Sequence, residues 1–232
     1  MEIKDKIILV TGGSAGIGLE TAIQLQKKGA KLIITGRDKS KLEAVEKKYG
    51  FDARVCDVSD EDAVLSLFSY ISEKYDQLDV LVNNAGFGKF SLLQDQTAEM
   101  LENVLATNVK GAMLMAREAS KIFIRQNSGA IINISSTAGT KGFAGGTAYV
   151  ASKFALKGMT ECWRAELRPH NVRVILINPS EVQTNFGGKI RESYNPSKLL
   201  SEDIAHTIVS ALEMNDRGFI TELTVFATNP KN

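Results

Sequence analysis

The sequence predicts an α/β fold: one doubly wound domain over residues 1–232, with a seven-stranded parallel sheet and helices on both faces. Three observations predict it. Short β-branched runs alternate with amphipathic stretches along the whole chain, as in successive βαβ units. Most of these runs are apolar without alternation, as expected for strands covered on both faces. No repeat, low-complexity tract or Pro/Gly-rich linker interrupts the pattern, and the four prolines are scattered.

The strand candidates, in order, are Ile7–Val10, Leu32–Ile34, Ala53–Cys56, Val80–Val82, Ile131–Ile134, Val172–Ile177 and Phe219–Val225. Between the first two, Leu19, Ala22 and Ile23 share one helical face, and Lys27-Lys28-Gly29 supplies cations and then glycine as a stop. Val64, Leu67, Phe68 and Ile71 repeat at i, i+3, i+4, i+7 behind a cap at Ser59 or Asp60. Longer helical stretches run over 98–126, 148–167 and 201–214.

A chain of 232 residues with 44% hydrophobic and 24% charged residues buries a core without disulfides and excludes disordered and fibrous classes. Its net charge of +1 gives no global field toward nucleic acid or anionic membrane, so neither is an expected partner. Two cysteines, Cys56 and Cys162, form no Cys-x-x-Cys pair and read as core thiols in a reducing compartment; no metal site is expected. The N-terminal apolar run is too short for a signal peptide or a membrane span, so the expected location is cytoplasmic.

The first strand leads into Thr11-Gly12-Gly13-Ser14-Ala15-Gly16-Ile17-Gly18. Glycines there let the backbone turn sharply and approach a ligand, and the helix start favours a pyrophosphate. The same residues match Gly-x-Ser-x-Gly, the nucleophile elbow of α/β-hydrolases. A Ser14 hydrolase would need His170 or His206. It would lack an earlier loop for the second oxyanion donor, and Gly18 would have no role. The second strand ends Gly36-Arg37-Asp38, where NAD-preferring folds place an acid for the ribose hydroxyl. The guanidinium of Arg37 suits a 2′-phosphate, favouring NADP(H) over NAD(H). Asp38 is either the missing acid or the cap of the next helix.

Tyr149 and Lys153 stand four apart at the start of a helix, on one face. A tyrosine exchanges protons poorly near neutrality, and an adjacent ammonium lowers its pKa. Asn133-Ile134-Ser135-Ser136 and Asn83-Asn84-Ala85-Gly86 end two strands at the rim where open sheets bind ligands. Asn108 sits mid-helix, where a short amide is a poor helix former.

Taken together, the glycine turn, Asn83-Asn84-Ala85-Gly86, Asn108, Ser136 and Tyr149-x-x-x-Lys153 resemble the short-chain dehydrogenase/reductase family in order and spacing, over roughly residues 6–225. Ser136, thirteen positions before Tyr149, fits the family's interval better than Ser135. The resemblance implies a Rossmann domain that transfers hydride between NADP(H) and a carbonyl or secondary alcohol. Tyr149 would protonate the carbonyl oxygen and Ser136 would hydrogen-bond it. Lys153 would lower the Tyr149 pKa and bind the nicotinamide ribose, and Asn108 would hold a relay water. Gly12, Ser14, Gly16, Ile17, Gly18 and Arg37 would bind cofactor at the first turn and second strand. Asp57 and Val58 would meet it after the third strand, Asn83 and Ala85 after the fourth, and Pro179, Val182 and Thr184 after the sixth. An NAD-dependent enzyme of the same family and a non-catalytic dinucleotide-binding regulator are the alternatives on this fold.

The sequence also departs from the family. Ser180 replaces a glycine common after the sixth strand, and the substrate lid near residues 185–200 is short. The glycine pair that many 3-oxoacyl-(acyl-carrier-protein) reductases carry near the end is missing, so the resemblance to them, and to a 3-oxoacyl thioester substrate, is partial. An acidic carrier protein would want basic residues near the cleft; Lys121 and Arg125 are one turn apart on a helix. Phe87, Phe90, Phe143 and Phe186 are candidates for an apolar pocket, with core packing expected for at least two. Family members pair two long helices, here near 98–126 and 148–168, into homodimers or homotetramers.

Overall fold

A computed structural model describes residues 1–184, 186 and 195–229. Seven strands form one sheet: β1 (Ile7–Thr11), β2 (Lys31–Gly36), β3 (Asp52–Val55), β4 (Val80–Asn83), β5 (Gly129–Ile134), β6 (Val172–Pro179) and β7 (Glu222–Val225). Their order is β3-β2-β1-β4-β5-β6-β7 and every pairing is parallel. Val10 registers with Ile34 on one side and Val82 on the other, so the strand ends form a common rim.

The apolar runs divide their side chains between two cores. Ile8 and Val10 join Leu25, Ile34, Val82, Ile132, Ile177 and Ile208 on one face. Ile7 and Leu9 point the other way, toward Phe68, Ile71, Leu81, Met115, Phe123 and Ile131. Each such side chain stabilises the fold by about 1.5–3 kcal/mol relative to exposure. This double coverage explains why the strands lack alternation.

The helices are α1 (Gly16–Lys27), α2 (Lys39–Tyr49), α3 (Glu61–Tyr75), α4 (Ala98–Leu105), α5 (Ala112–Gln126), α6 (Thr147–Leu167) and α7 (Ser201–Glu213). Asp38 caps α2, accepting from the Lys41 amide at 3.1 Å, so of its two readings the cap is the one seen. Asp60, not Ser59, caps α3.

Two elements differ from expectation. The continuous helix over 98–126 is α4 and α5 joined by a π turn at Ala106–Gly111. The last strand starts at Glu222 rather than Phe219, where pairing with β6 begins at Leu176. No helix among the described residues is long and apolar enough to cross a membrane.

Candidate active site

Strand order reverses between β1 and β4, which opens a crevice at their carboxyl ends. Beyond Thr11 the backbone passes through Gly12 (φ +64°) and Gly16 (φ +55°), a left-handed conformation that glycine adopts without strain. A Cβ on Gly12 would stand 3.1 Å from the Ala85 Cα, and one on Gly18 only 2.4 Å from the Gly12 carbonyl oxygen. Thr11 ties this turn to the neighbouring strand end. Its hydroxyl donates to the Val82 carbonyl at 3.3 Å and accepts from the Asn84 and Ala85 amides at 3.0 and 2.9 Å. The Asn84 side-chain amide donates to the Thr11 and Gly12 carbonyls. Among the described residues no side chain caps α1, so its first amides are left for an anion such as a pyrophosphate.

Ser14 faces the end of β2, where a Cβ on Gly36 would stand 3.3 Å from its hydroxyl. Among the described residues, no hydrogen bond joins Ser14 to His170 or His206. Arg37 is 67% exposed at this rim, 4.0 Å from Asp57. Burial would raise the Asp57 carboxyl, but bonds from the Ser59 amide and hydroxyl, with the charge of Arg37, hold it below its ordinary value. Thr184 lies across the turn, its Cγ2 3.6 Å from where a Gly16 Cβ would be. Pro179 ends β6 against Val225, Val182 bridges to Leu199, and Ile17 packs on the core.

Other expected residues point elsewhere. The Asn83 side chain is buried beneath the rim, donating to the Ala112 carbonyl at 3.1 Å and to Asn133 at 3.0 Å. The amide facing the glycine turn is that of Asn84. Val58 is buried, and a Cβ on Gly111 would strike it at 2.6 Å, so it packs on the π turn. The lid falls mostly on residue 185 and residues 187–194, outside the described residues. Lys121 is taken by Glu118 at 2.6 Å and adds little free positive charge.

The sheet and α6 bring the remaining residues together. Tyr149 and Lys153 lie one turn apart, with the Lys153 nitrogen 5.6 Å from the phenol ring centroid. The Ser136 hydroxyl lies near enough to the Tyr149 phenol to favour its ionised form, and its oxygen caps the next turn by accepting from the Ala138 amide at 3.1 Å. The Asn108 carbonyl oxygen accepts from the Phe87 amide, and its nitrogen donates to the Phe87 carbonyl and to Ser152 at 3.0 Å. Ser152 in turn donates to the Tyr149 carbonyl at 2.7 Å. Ser152 and Thr11 therefore hold the site together; Thr11 opens the glycine turn in the sequence, whereas Ser152 there resembles any surface hydroxyl.

Burial shapes the protonation of both groups. It pushes the Lys153 ammonium, 6% exposed and donating to the Ile134 carbonyl at 2.8 Å, down to about 8. It also holds the Tyr149 phenol above its ordinary value, opposed only by the Ser136 hydroxyl. The acidified phenol expected from the Lys153 charge is thus not seen in the protein alone, because burial disfavours phenolate.

The lysine shift has a consequence for stability. Between its folded value of about 8 and its ordinary 10.5, the unfolded chain binds more protons at Lys153 than the folded one. Stability relative to Lys153→Met should therefore rise as pH climbs from about 8 to 10.5, by on the order of 2–3 kcal/mol. Urea melts of both proteins across that range test it; parallel curves would refute it.

The short chain dehydrogenase family profile matches residues 6–195. An uncharacterized oxidoreductase of Staphylococcus saprophyticus is 33% identical over 231 residues, covering 97% of this chain and 98% of that one. The 3-oxoacyl-(acyl-carrier-protein) reductase of Thermotoga maritima is 32% identical over 204 residues, covering 86% and 83%. A metagenomic short-chain oxidoreductase, solved in complex with NADP, superposes with a TM-score of 0.86 at 34% identity, covering 99% and 100%. Sequence and fold agree along nearly the whole chain: the protein is an oxidoreductase of the short chain dehydrogenase family.

Proposed function

We propose that residues 1–232 act as one NADP(H)-dependent unit that interconverts a carbonyl group and a secondary alcohol. The observation that carries this reading is the Tyr149 phenol, with Ser136 beside it and buried Lys153 one turn away, its nitrogen 5.6 Å from the ring centroid, at the rim where the glycine turn opens.

The residues at the rim suit a dinucleotide. The Gly12, Gly16 and Gly18 positions admit a close ligand, the uncapped amides of α1 suit its pyrophosphate, and Ser14 at Gly36 with the next residue, Arg37, marks where a 2′-phosphate would lie. Asp57 would take the adenine edge. Ile17, Ala85 and the Asn83 backbone would line the cleft, with Pro179, Val182 and Thr184 at its nicotinamide end and Val58 supporting it from below. Bound NADPH supplies the hydride. Tyr149 donates the proton to the carbonyl oxygen, and Ser136 hydrogen-bonds that oxygen and holds it in place. Lys153 holds a positive charge beside the phenol and contacts the ribose. Asn108 anchors Phe87 and, through Ser152, the first turn of α6, and holds the relay water. A cytoplasmic homodimer or homotetramer pairing α5 and α6 fits the length of these helices.

A fluorescence titration tests the cofactor. NADPH should bind tightly, and Arg37→Ala should weaken it about 10- to 30-fold, as expected for a charge-assisted bond made by an exposed side chain. NADH binding should change little. Tight NADH binding without NADPH binding would overturn the assignment.

A further inference from the structure

Around Tyr149 the described residues form an aromatic cluster outside both cores. Phe90 meets the Tyr149 ring edge-on at 5.6 Å and 70°, and Phe186 meets it at 5.4 Å and 62°. Phe143 adjoins Phe90 at 6.0 Å. Core packing was expected for at least two of these phenylalanines and Phe87, yet Phe90, Phe143 and Phe186 are 45%, 52% and 37% exposed. Exposed apolar groups gathered around one polar residue mark a ligand surface more often than a packing accident.

The rings are seated rather than loose. A Cβ on buried Gly88 would fall 2.7 Å from Phe90 and 2.9 Å from Phe186, so both rings occupy the space left by that glycine. Phe143 uses Gly146 in the same way, at 2.7 Å. Among the described residues, no ion pair or charged hydrogen bond involves these three side chains. Lys153, beside the Tyr149 ring, is buried and held by the Ile134 carbonyl.

Resting on the reading of Tyr149 as proton donor, we propose that Phe90, Phe143 and Phe186 are specificity-determining residues that select carbonyl substrates with an aromatic ring beside the reacting carbon. A planar ring extends the edge-to-face array, which is worth more than an aliphatic group of equal area. A carboxylate set among these rings would give up water to an apolar surface.

The test compares three probes with NADPH: acetophenone, cyclohexyl methyl ketone of similar size, and phenylglyoxylate, which adds a carboxylate beside the carbonyl. The wild type should show a kcat/KM for acetophenone at least about fivefold above the other two. Phe90→Ala should lower the acetophenone value about tenfold, through KM, with NADPH affinity unchanged. Gly88→Ala keeps every ring but drives Phe90 and Phe186 aside. It should erase the same preference without lowering the melting temperature, since only ring edges must move. Saturation-transfer NMR should show acetophenone bound to the wild type and weakened in both variants. Equal kcat/KM for the two methyl ketones, or an aryl preference that survives both variants, would overturn the proposal. Reduction of no ketone despite bound NADPH would instead remove the assignment of Tyr149, and this proposal with it.

Discussion

Tyr149→Phe should lower carbonyl reduction about a thousandfold while leaving NADPH affinity within about twofold, the usual scale for losing a positioned general acid. The substitution removes one hydroxyl and keeps the ring between Phe90 and Phe186, so the fold should not change. What disappears is the proton and the phenol oxygen that the Ser136 hydroxyl faces. Burial keeps the phenol above its ordinary value, so Tyr149 stays protonated through neutral pH, as a donor must. Reduction should therefore be flat near neutrality, whereas alcohol oxidation, which needs phenolate, should rise with pH. Steady-state rates in both directions, with fluorescence titration of the cofactor, check this. A Tyr149→Phe enzyme keeping more than about a tenth of its turnover would move the proton source elsewhere.

Gly18→Ala should cost about a hundredfold or more in NADPH affinity. The added Cβ would sit 2.4 Å from the Gly12 carbonyl oxygen and from the Asn84 amide nitrogen. The first is backbone and cannot swing away, so the turn itself must shift, at a stability cost of about 1–3 kcal/mol. That shift also disturbs the bonds from Asn84 that fasten the turn to β4. Gly142→Ala is the control: a Cβ there meets nothing within 4 Å and the backbone is not left-handed. Titration and thermal melting of the two variants separate a specific effect on the cradle from a general cost of replacing glycine. Equal NADPH affinities for both would show that the turn does not approach the cofactor closely.

Much of this architecture was legible in the residues. All seven strands fall within a few positions of their predicted runs; β1, β4, β5 and β6 are buried at every position and so are nearly all apolar, whereas the edge strands β3 and β7 are only partly buried. The spacing of Tyr149 and Lys153 read correctly as one helical face for a similarly local reason. The break at Ala106–Gly111 was signalled only by Asn108, a poor helix former in mid-helix. The apolar period of the flanking helices runs on through it, and one wider turn leaves little trace in composition. Asn83 and Asn84 are identical side chains one position apart. Strand alternation turns the first into the helix–sheet interior and leaves the second at the glycine turn.

The sequence by itself determined the alternation of strands and helices, the glycine turn after β1, and the identity and spacing of the groups gathered at the rim. These are set by local periodicity and backbone freedom, which neighbouring residues carry. Only the tertiary structure decided how those groups are charged and what surrounds them. The burial that lowers Lys153 and raises Tyr149 comes from segments far apart in the chain, as do Ser152 behind Asn108 and the phenylalanines seated on Gly88 and Gly146. Desolvation and ring packing depend on what lies across space, and a one-dimensional pattern of apolar residues does not distinguish a ring in the core from a ring at the mouth of a site.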